Sequence, residues 1–255
     1  MQICRHNYIM KNRNLKEQGY NSIKASILNF RLLPDVKLSD KQIAQEMGIS
    51  RTPVREALVR LSEQGLVETN PNRGFTVKSF TVSEIDDLYT LREALEVLAV
   101  RQAIPKLDRE RIEAFKKPTD RFLSLLKTNN LIALIDSDEA FHDLISTYTE
   151  NRPLINFLGN LHDQIRIARR YDHLYGDDLQ MTHREHLEIL EFMDRKEISK
   201  ATRAMSRHIV RAKKNILSFL KTVGRSESEP SQGLGYLHSG DPRDFVKDYG
   251  FREGR

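Results

Sequence analysis

Residues 39–61 predict two short helices joined by a tight turn, and this pair constrains the fold more than any other part of the chain. Ser39 and Gln42 have the spacing of a capping box at the start of the first helix. The apolar face of that helix is formed by Ile43, Ala44 and Met47. Gly48 suits the left-handed residue that ends a helix, and Ser50 can cap the next one. The second helix repeats apolar residues at i, i + 3, i + 4 and i + 7: Val54, Ala57, Leu58 and Leu61.

Two helices joined at a glycine turn have the layout of a helix-turn-helix, whose second helix enters the major groove of DNA. Arg51 and Arg55 lie one turn apart beside the apolar stripe, with Thr52 next to them. The arginine side chain is a planar fork that can read guanine or clamp a phosphate. Lys41, near the start of the preceding helix, is placed to contact a phosphate. The alternative is an ordinary surface helix with solvated arginines.

A β-hairpin is predicted directly after the second helix. Two short strands, at 66–70 and 75–77, flank a turn in which Arg73 and Gly74 lie at the tip. A hairpin in this position is a wing, and its tip can approach the minor groove or a phosphate. Residues 1–78 carry 13 Lys and Arg against 7 Asp and Glu, so the positive charge is concentrated where a phosphate-binding module needs it.

The rest of the chain is predicted to be almost entirely helical. Amphipathic helices are expected near 83–104, 108–127, 130–148, 153–172, 181–195 and 197–222. Thr81 with Glu84, and Thr182 with Glu185, have capping-box spacing. We therefore expect a mainly α protein made of four segments: a flexible arm over 1–16, a winged helix-turn-helix DNA-binding domain over 17–78, an all-α helical bundle for sensing and dimerisation over 79–223, and a disordered tail over 224–255.

Several classes of protein are excluded by simple features of the sequence. The single cysteine, Cys4, rules out an internal disulfide and fits a reducing compartment. The chain has no run of 18 apolar residues, and its first residues lack the apolar stretch of a secretory signal. We expect a cytoplasmic protein that has no membrane partner.

Four ionisable side chains fall on buried helical stripes. Asp138 and His142 lie one turn apart in the stripe of the helix near 130–148. His186 and His208 lie among apolar residues on the last two helices. A buried carboxylate needs a cation or hydrogen-bond donors beside it, which favours a divalent metal (Zn, Ni, Mn or Fe) over a hydrogen-bonded polar core. His162, His173 and His183 are expected to be neighbours of this site or surface residues.

Arginines also point inward in the helical region. Arg92 and Arg169 lie in phase with apolar residues of their helices, and Arg166 lies on the flank. Facing a metal, they would form a pocket for a small carboxylate that completes the coordination of the metal. The alternative is a structural pair between Arg92 and Glu96, which are four residues apart.

Two stretches of the chain resemble known modules. The first runs from Ser50 to Leu58 and is followed by Arg60-Leu61, Gly65-Leu66-Val67 and Pro71-Asn72-Arg73-Gly74. It resembles the winged helix-turn-helix of GntR-type repressors. The resemblance implies that Arg51, Arg55 and the Arg73-Gly74 tip contact a short palindromic operator, with Lys41 in support. One departure is that the loop over 29–35 has no glycine, where the family often has some.

The second stretch consists of Asp138-x-x-Phe141-His142, Glu185-His186 and His208. It resembles the metal-binding pattern of the FCD sensor domain in the FadR-like branch of GntR regulators, over residues 81–222. The resemblance implies a helical bundle, a homodimer and a small organic acid as effector. Six helices correspond to the shorter, VanR-like version of that domain. The metal ligands would be Asp138, His142, His186 and His208.

The function expected from these features is that of a ligand-responsive transcription regulator, a repressor rather than an enzyme. A metal-dependent hydrolase with an accessory DNA-binding domain is one alternative, but it would need an activated water and a general base. The sequence contains neither a His-Glu-x-x-His helix nor a nucleophile elbow. A DNA-binding protein whose helical domain only dimerises is the other alternative.

Overall fold

The computed structural model describes residues 2–70, 74–128, 130–169 and 179–222, and the chain divides between Ser79 and Phe80 into two compact units. The first unit contains a small antiparallel sheet and three helices. The second unit is helical throughout its described residues. The mainly α fold, with an N-terminal winged helix-turn-helix and an all-α bundle, is therefore confirmed. The predicted tail over 224–255 lies outside the described residues.

The first unit follows the predicted order of elements. Its helices are α1 (Gln2–Leu28), α2 (Asp40–Glu46) and α3 (Arg51–Glu63), and its strands are β1 (Lys37–Leu38), β2 (Val67–Asn70) and β3 (Gly74–Val77). The strand order is β1-β3-β2, with Leu38 opposite Phe75 and Glu68 opposite Thr76. α1 packs along α3 and covers the buried face of the helix-turn-helix.

Helix α1 is longer than the sequence pattern indicates. Residues 2–16, predicted as a flexible arm, belong to the same helix as the residues that follow them. The reason is that 2–28 contains no proline and one glycine, so nothing in it ends a helix. Absence of apolar periodicity is therefore a poor guide to the start of α1.

The turn between α2 and α3 has the predicted form. The Ser39 hydroxyl accepts from the backbone N–H of Gln42, and Gly48 has a φ of 63°. Ser50 is the N-cap residue of α3, but its side chain makes no capping hydrogen bond. In the loop without glycine that precedes β1, Phe30 and Asp35 take left-handed backbone conformations themselves.

The second unit contains seven helices in its described residues. They are α4 (Val82–Ala103), α5 (Arg109–Ala114), α6 (Lys116–Leu125), α7 (Leu131–Tyr148), α8 (Arg152–Arg169), α9 (Leu179–Asp194) and α10 (Ile198–Thr222), with a 3₁₀ turn over Ile104–Lys106. α4 lies at the centre and packs against α7, α8 and α10. None of the described helices is both long enough and apolar enough to cross a membrane.

Two details of the predicted bundle are corrected. The helix expected near 108–127 is broken at Phe115 into α5 and α6, because Pro118 has no N–H and falls within the first turn of the new helix. Thr81 and Glu84 form the predicted capping box. Thr182, in contrast, lies inside α9 and caps nothing, since α9 already includes Leu179.

Candidate DNA-contacting surface and metal centre

The exposed face of α3 carries the side chains predicted to contact DNA. Arg51, Thr52 and Arg55 are all exposed near its N-terminal end, and they line one open groove. Lys41 is exposed on α2. Gly74 has a φ of 77° and no atom within 4 Å of the position where a Cβ would lie. Arg73 lies outside the described residues.

Asp40 is a member of this surface that the sequence pattern did not indicate. The Arg51 Nη2 atom lies 3.0 Å from both carboxylate oxygens of Asp40, in the first turn of α2. Arg60, nearer the C-terminal end of α3, also lines this groove, but its guanidinium lies 3.7 Å from the centre of the Tyr20 ring and is paired with Glu17. The arginines of α3 therefore differ in their partners: Arg51 is paired with Asp40 of α2, whereas Arg60 contacts Tyr20 and Glu17 of α1.

The helical unit brings together the four ionisable side chains found on three helices. Asp138 and His142 come from α7, His186 from α9 and His208 from α10. One nitrogen or oxygen atom of each lies within 4.8 Å of the corresponding atoms of the others, and all four residues are buried. Among the described residues, this set of four is the group of such side chains able to hold a metal ion.

Three atoms of this cluster are buried without a hydrogen-bond partner: Asp138 Oδ1, His142 Nε2 and His186 Nε2. Asp138 Oδ1 and His186 Nε2 are 3.4 Å apart but are not aligned as a hydrogen bond. Buried polar atoms are normally paired, so three unpaired atoms facing one another are unusual. A cation between them would satisfy all three, and the donor set fits one.

The other polar atom of three of these side chains is already held. His142 Nδ1 is hydrogen-bonded to Glu96, and Asp138 Oδ2 to Arg169. His208 Nδ1 lies 2.8 Å from Glu185 Oε2. The His186 ring is stacked on Phe141, with 4.1 Å between ring centres. Outer partners of this kind orient the side chains that bind a metal.

Burial and neighbouring charges set the protonation of the cluster. Burial lowers the pKa of His142 to about 4, against the opposing charge of Glu96. Burial and the nearby His208 hold the pKa of His186 well below its usual value. Burial raises the pKa of the Asp138 carboxyl, but the charges of Arg169 and Arg92 oppose it, and that pKa is held well below its usual range. These residues therefore present one carboxylate and two neutral imidazoles, the forms that bind metal.

His162 is a buried neighbour of the cluster, one of the two placements expected for it, and its Nε2 atom lies 3.2 Å from Glu96 Oε1. Burial lowers its pKa, but hydrogen bonds to Asp143 and Glu96 outweigh this and raise the pKa to about 9. His183, for which the same two placements were expected, is partly exposed and stacks on Phe122. His173 lies outside the described residues.

The three candidate effector arginines are all paired with carboxylates of the same helical unit. Arg92 Nε lies 2.6 Å from Glu96 Oε1, which is the structural pair considered as the alternative. Arg169 is paired with Asp138. The carboxylates beside Arg166 belong to Asp136 and Glu139. A cleft too narrow to admit a water molecule is lined by Arg92, Glu139, His142, His162, Ile165 and Arg169, and Arg166 is not among its lining residues.

Comparison with known proteins identifies both units. Residues 87–211 match the FCD domain, and residues 15–77 match the family described as "Bacterial regulatory proteins, gntR family". The Nta operon transcriptional regulator of Aminobacter aminovorans is 30% identical over 173 residues, covering 67% of this chain and 80% of that protein. The chain belongs to the GntR family of bacterial regulatory proteins.

Other GntR-type proteins extend this comparison. The HTH-type transcriptional repressor RspR of Escherichia coli (strain K12) is 23% identical over 198 residues, covering 76% of this chain and 86% of that protein. The solved structure of E. coli McbR/YncC matches with a TM-score of 0.71 at 20% identity, covering 82% of this chain and 98% of that one. At that identity the match shows the shared fold.

The family assignment decides between function classes. This GntR protein is a DNA-binding transcription regulator with an FCD domain, and its relatives are regulators rather than enzymes. The hydrolase alternative is therefore set aside. The sequence pattern contained Glu185 but did not pair it with His208, and it did not pair Asp40 with Arg51, because the two members of each pair lie on different helices.

Proposed function

We propose that this GntR regulator is a ligand-responsive repressor that acts in the cytoplasm. Two copies would place their α3 helices on the half-sites of a palindromic operator. A divalent metal held by Asp138, His142, His186 and His208 would form part of the effector site. The observation that carries the sensing proposal is the set of buried atoms without partners on Asp138, His142 and His186.

The DNA-contacting residues proposed are those on the exposed face of the first unit. Arg51, Thr52 and Arg55 supply donors at the N-terminal end of α3, where a recognition helix meets base edges. Lys41 would contact a phosphate, and the wing tip at Arg73 and Gly74 would meet the backbone or the minor groove. RspR, a relative named as a repressor, supports the direction of regulation.

The effector proposed is a small organic acid. A metal in the four-residue site would offer a carboxylate a positively charged anchor. Arg92 and Arg169 line the adjacent cleft and could take part, with Arg166 close by in sequence. Because these arginines already hold internal carboxylates, an incoming acid would have to displace Glu96 or Asp138 or share their arginine.

Coupling to DNA requires that the acid bind two states of the protein differently, typically by about 1–3 kcal/mol. Displacement of Glu96 would break its contacts with Arg92, His142 and His162 and so change how α4 is held against α7 and α8. Four residues separate the last strand of the wing from α4. A rearrangement of α4 can therefore reach the DNA-binding unit along the chain itself.

A screen of small organic acids by thermal shift tests the sensor. An effector at 100 times its dissociation constant should stabilise metal-loaded protein by about 2.7 kcal/mol, and chelator-treated protein far less. The same acid should change operator affinity measured by fluorescence anisotropy. Equal stabilisation of chelator-treated protein would remove the metal from the effector site. Operator binding that no acid changes would favour a helical domain that only dimerises.

Dimerisation is proposed to use an exposed apolar stripe on α4. Leu91 and Leu98 are 50% and 36% exposed, and Ala94 and Leu95 complete the i, i + 3, i + 4, i + 7 spacing. A two-fold axis would place this stripe against the same stripe of a second copy, so a single surface is its own complement.

Replacing both Leu91 and Leu98 by glutamate should convert the dimer to a monomer, because the like charges would face one another across the two-fold axis. Size-exclusion chromatography with light scattering measures the mass. Leu123→Glu is the matched control, since Leu123 is also 50% exposed but lies on α6. A dimer that survives the double substitution places the interface elsewhere.

A further inference from the structure

We propose that Glu185 is a positioning residue of the metal centre: its carboxylate keeps a proton on Nδ1 of His208 and so leaves the Nε2 lone pair for the cation. The inference rests on the metal site proposed above. Glu185 Oε2 lies 2.8 Å from His208 Nδ1. An ionised carboxylate can only accept a hydrogen bond, so the nitrogen facing it must be the donor. In a neutral imidazole the other nitrogen is then an acceptor.

The Glu185 carboxylate is itself fixed by a rigid partner. Arg211 Nε lies 2.8 Å from Oε1, and Arg211 Nη2 lies 2.8 Å from Oε2. This fork is the two-point geometry by which arginine orients a carboxylate. The same Nη2 atom donates to the Thr182 hydroxyl at 2.7 Å. Thr182 and Glu185 lie one turn apart on α9, and His208 and Arg211 lie one turn apart on α10, so the four residues join the two helices.

A second ligand of the cluster has the same arrangement, built from different helices. Glu96 on α4 accepts from His142 Nδ1 and is held by Arg92, with His162 Nε2 at 3.2 Å. The Nε2 atom of His142 is then one of the buried atoms without a partner. We expect the same at His208: a carboxylate that accepts from Nδ1 leaves Nε2 as the nitrogen that can bind the cation. Carboxylates outside the ligand set thus orient two of the three imidazoles.

Glu185 is the better of the two carboxylates to test. Its side chain is 16% exposed, whereas Glu96 is buried with Arg92 and its removal would leave that guanidinium buried without its partner. Glu185→Ala removes the acceptor. Glu185→Gln keeps an oxygen that can accept from Nδ1 but removes the charge, and it guards against a variant that fails to fold. Glu188→Ala is the control, since Glu188 pairs with Arg207 on the same two helices.

The first measurement is the histidine tautomer by ¹⁵N NMR of metal-free protein labelled on histidine nitrogen. In the wild type and in Glu188→Ala, His208 should carry its proton on Nδ1. In Glu185→Ala it should exchange between both nitrogens or move to Nε2. A wild-type His208 protonated on Nε2 overturns the inference, whether or not the protein binds metal.

The second measurement is Zn²⁺ affinity by competition with a chromophoric chelator. Loss of an outer carboxylate partner typically weakens metal binding about 10–100-fold, and we expect this for Glu185→Ala, with a smaller loss for Glu185→Gln. Glu188→Ala should bind as the wild type does. Unchanged affinity in Glu185→Ala overturns the positioning role. A wild type that binds no divalent metal would instead overturn the proposed metal site, while the tautomer measurement still decides what Glu185 does to His208.

Discussion

Replacing both His186 and His208 by alanine should remove the stoichiometric divalent metal from the purified protein. The substitution takes away two of four nitrogen and oxygen donors that lie within 4.8 Å of one another, and Asp138 with His142 alone cannot surround a cation. We expect a loss of affinity greater than the roughly 100-fold that removal of an outer partner can cause. Plasma emission on dialysed protein gives the metal content per chain.

His183→Ala is the matched control for this experiment. His183 lies on the same helix as His186, one turn away, and stands outside the cluster of four. The His183→Ala variant should retain one metal ion per chain. Circular dichroism checks that both proteins are folded. One metal per chain in the double variant would contradict the proposed ligand set.

Replacing Arg51 and Arg55 by alanine should have the largest effect on operator binding. If either side chain reads a base, its loss should cost about 1–3 kcal/mol of discrimination between operator and random DNA. If it contacts a phosphate instead, affinity should fall equally for all sequences, and the salt dependence should lose about one counterion. Fluorescence anisotropy on operator DNA obtained by selection, at several salt concentrations, separates the two.

Arg60→Ala is the control within the same helix. Its guanidinium lies over the Tyr20 ring and pairs with Glu17, so its loss should weaken the packing of α1 without changing discrimination. Lys41→Ala should lower the affinity for all DNA sequences equally and reduce the salt dependence of binding, as expected for the loss of a phosphate contact. Operator affinity that is the same in the Arg51 and Arg55 variants as in the wild type would remove both residues from the interface.

Local chemistry made much of the fold predictable. The turn at Gly48 could be predicted because glycine adopts the left-handed backbone conformation without strain. The helix cap at Thr81 could be predicted because Thr81 and Glu84 have the three-residue spacing of a capping box. The convergence of Asp138, His142, His186 and His208 could be predicted from the sequence for a related reason. Each lies in phase with apolar residues on its own helix, so burying those residues also buries it.

What could not be predicted depends on how separate helices are registered. Arg169 meets Asp138, and Arg166 meets Asp136 and Glu139, because α8 packs at one particular height against α7. The sequence separation between two residues on different helices does not show whether their side chains will be in contact. The helical start of α1 was missed for another reason: an element without an apolar stripe gives no periodic pattern to detect.

The buried polar atoms without hydrogen-bond partners inside the bundle affect the steady-state abundance of this protein in the cell. Each such atom costs about 1–3 kcal/mol, and a whole domain is usually stable by only about 5–15 kcal/mol. A bound cation that satisfies Asp138, His142 and His186 would remove this cost and raise the free energy of unfolding. Metal binding and folding would then be thermodynamically coupled. Starvation for the metal would then lower the abundance of the regulator through proteolysis, in addition to silencing its response.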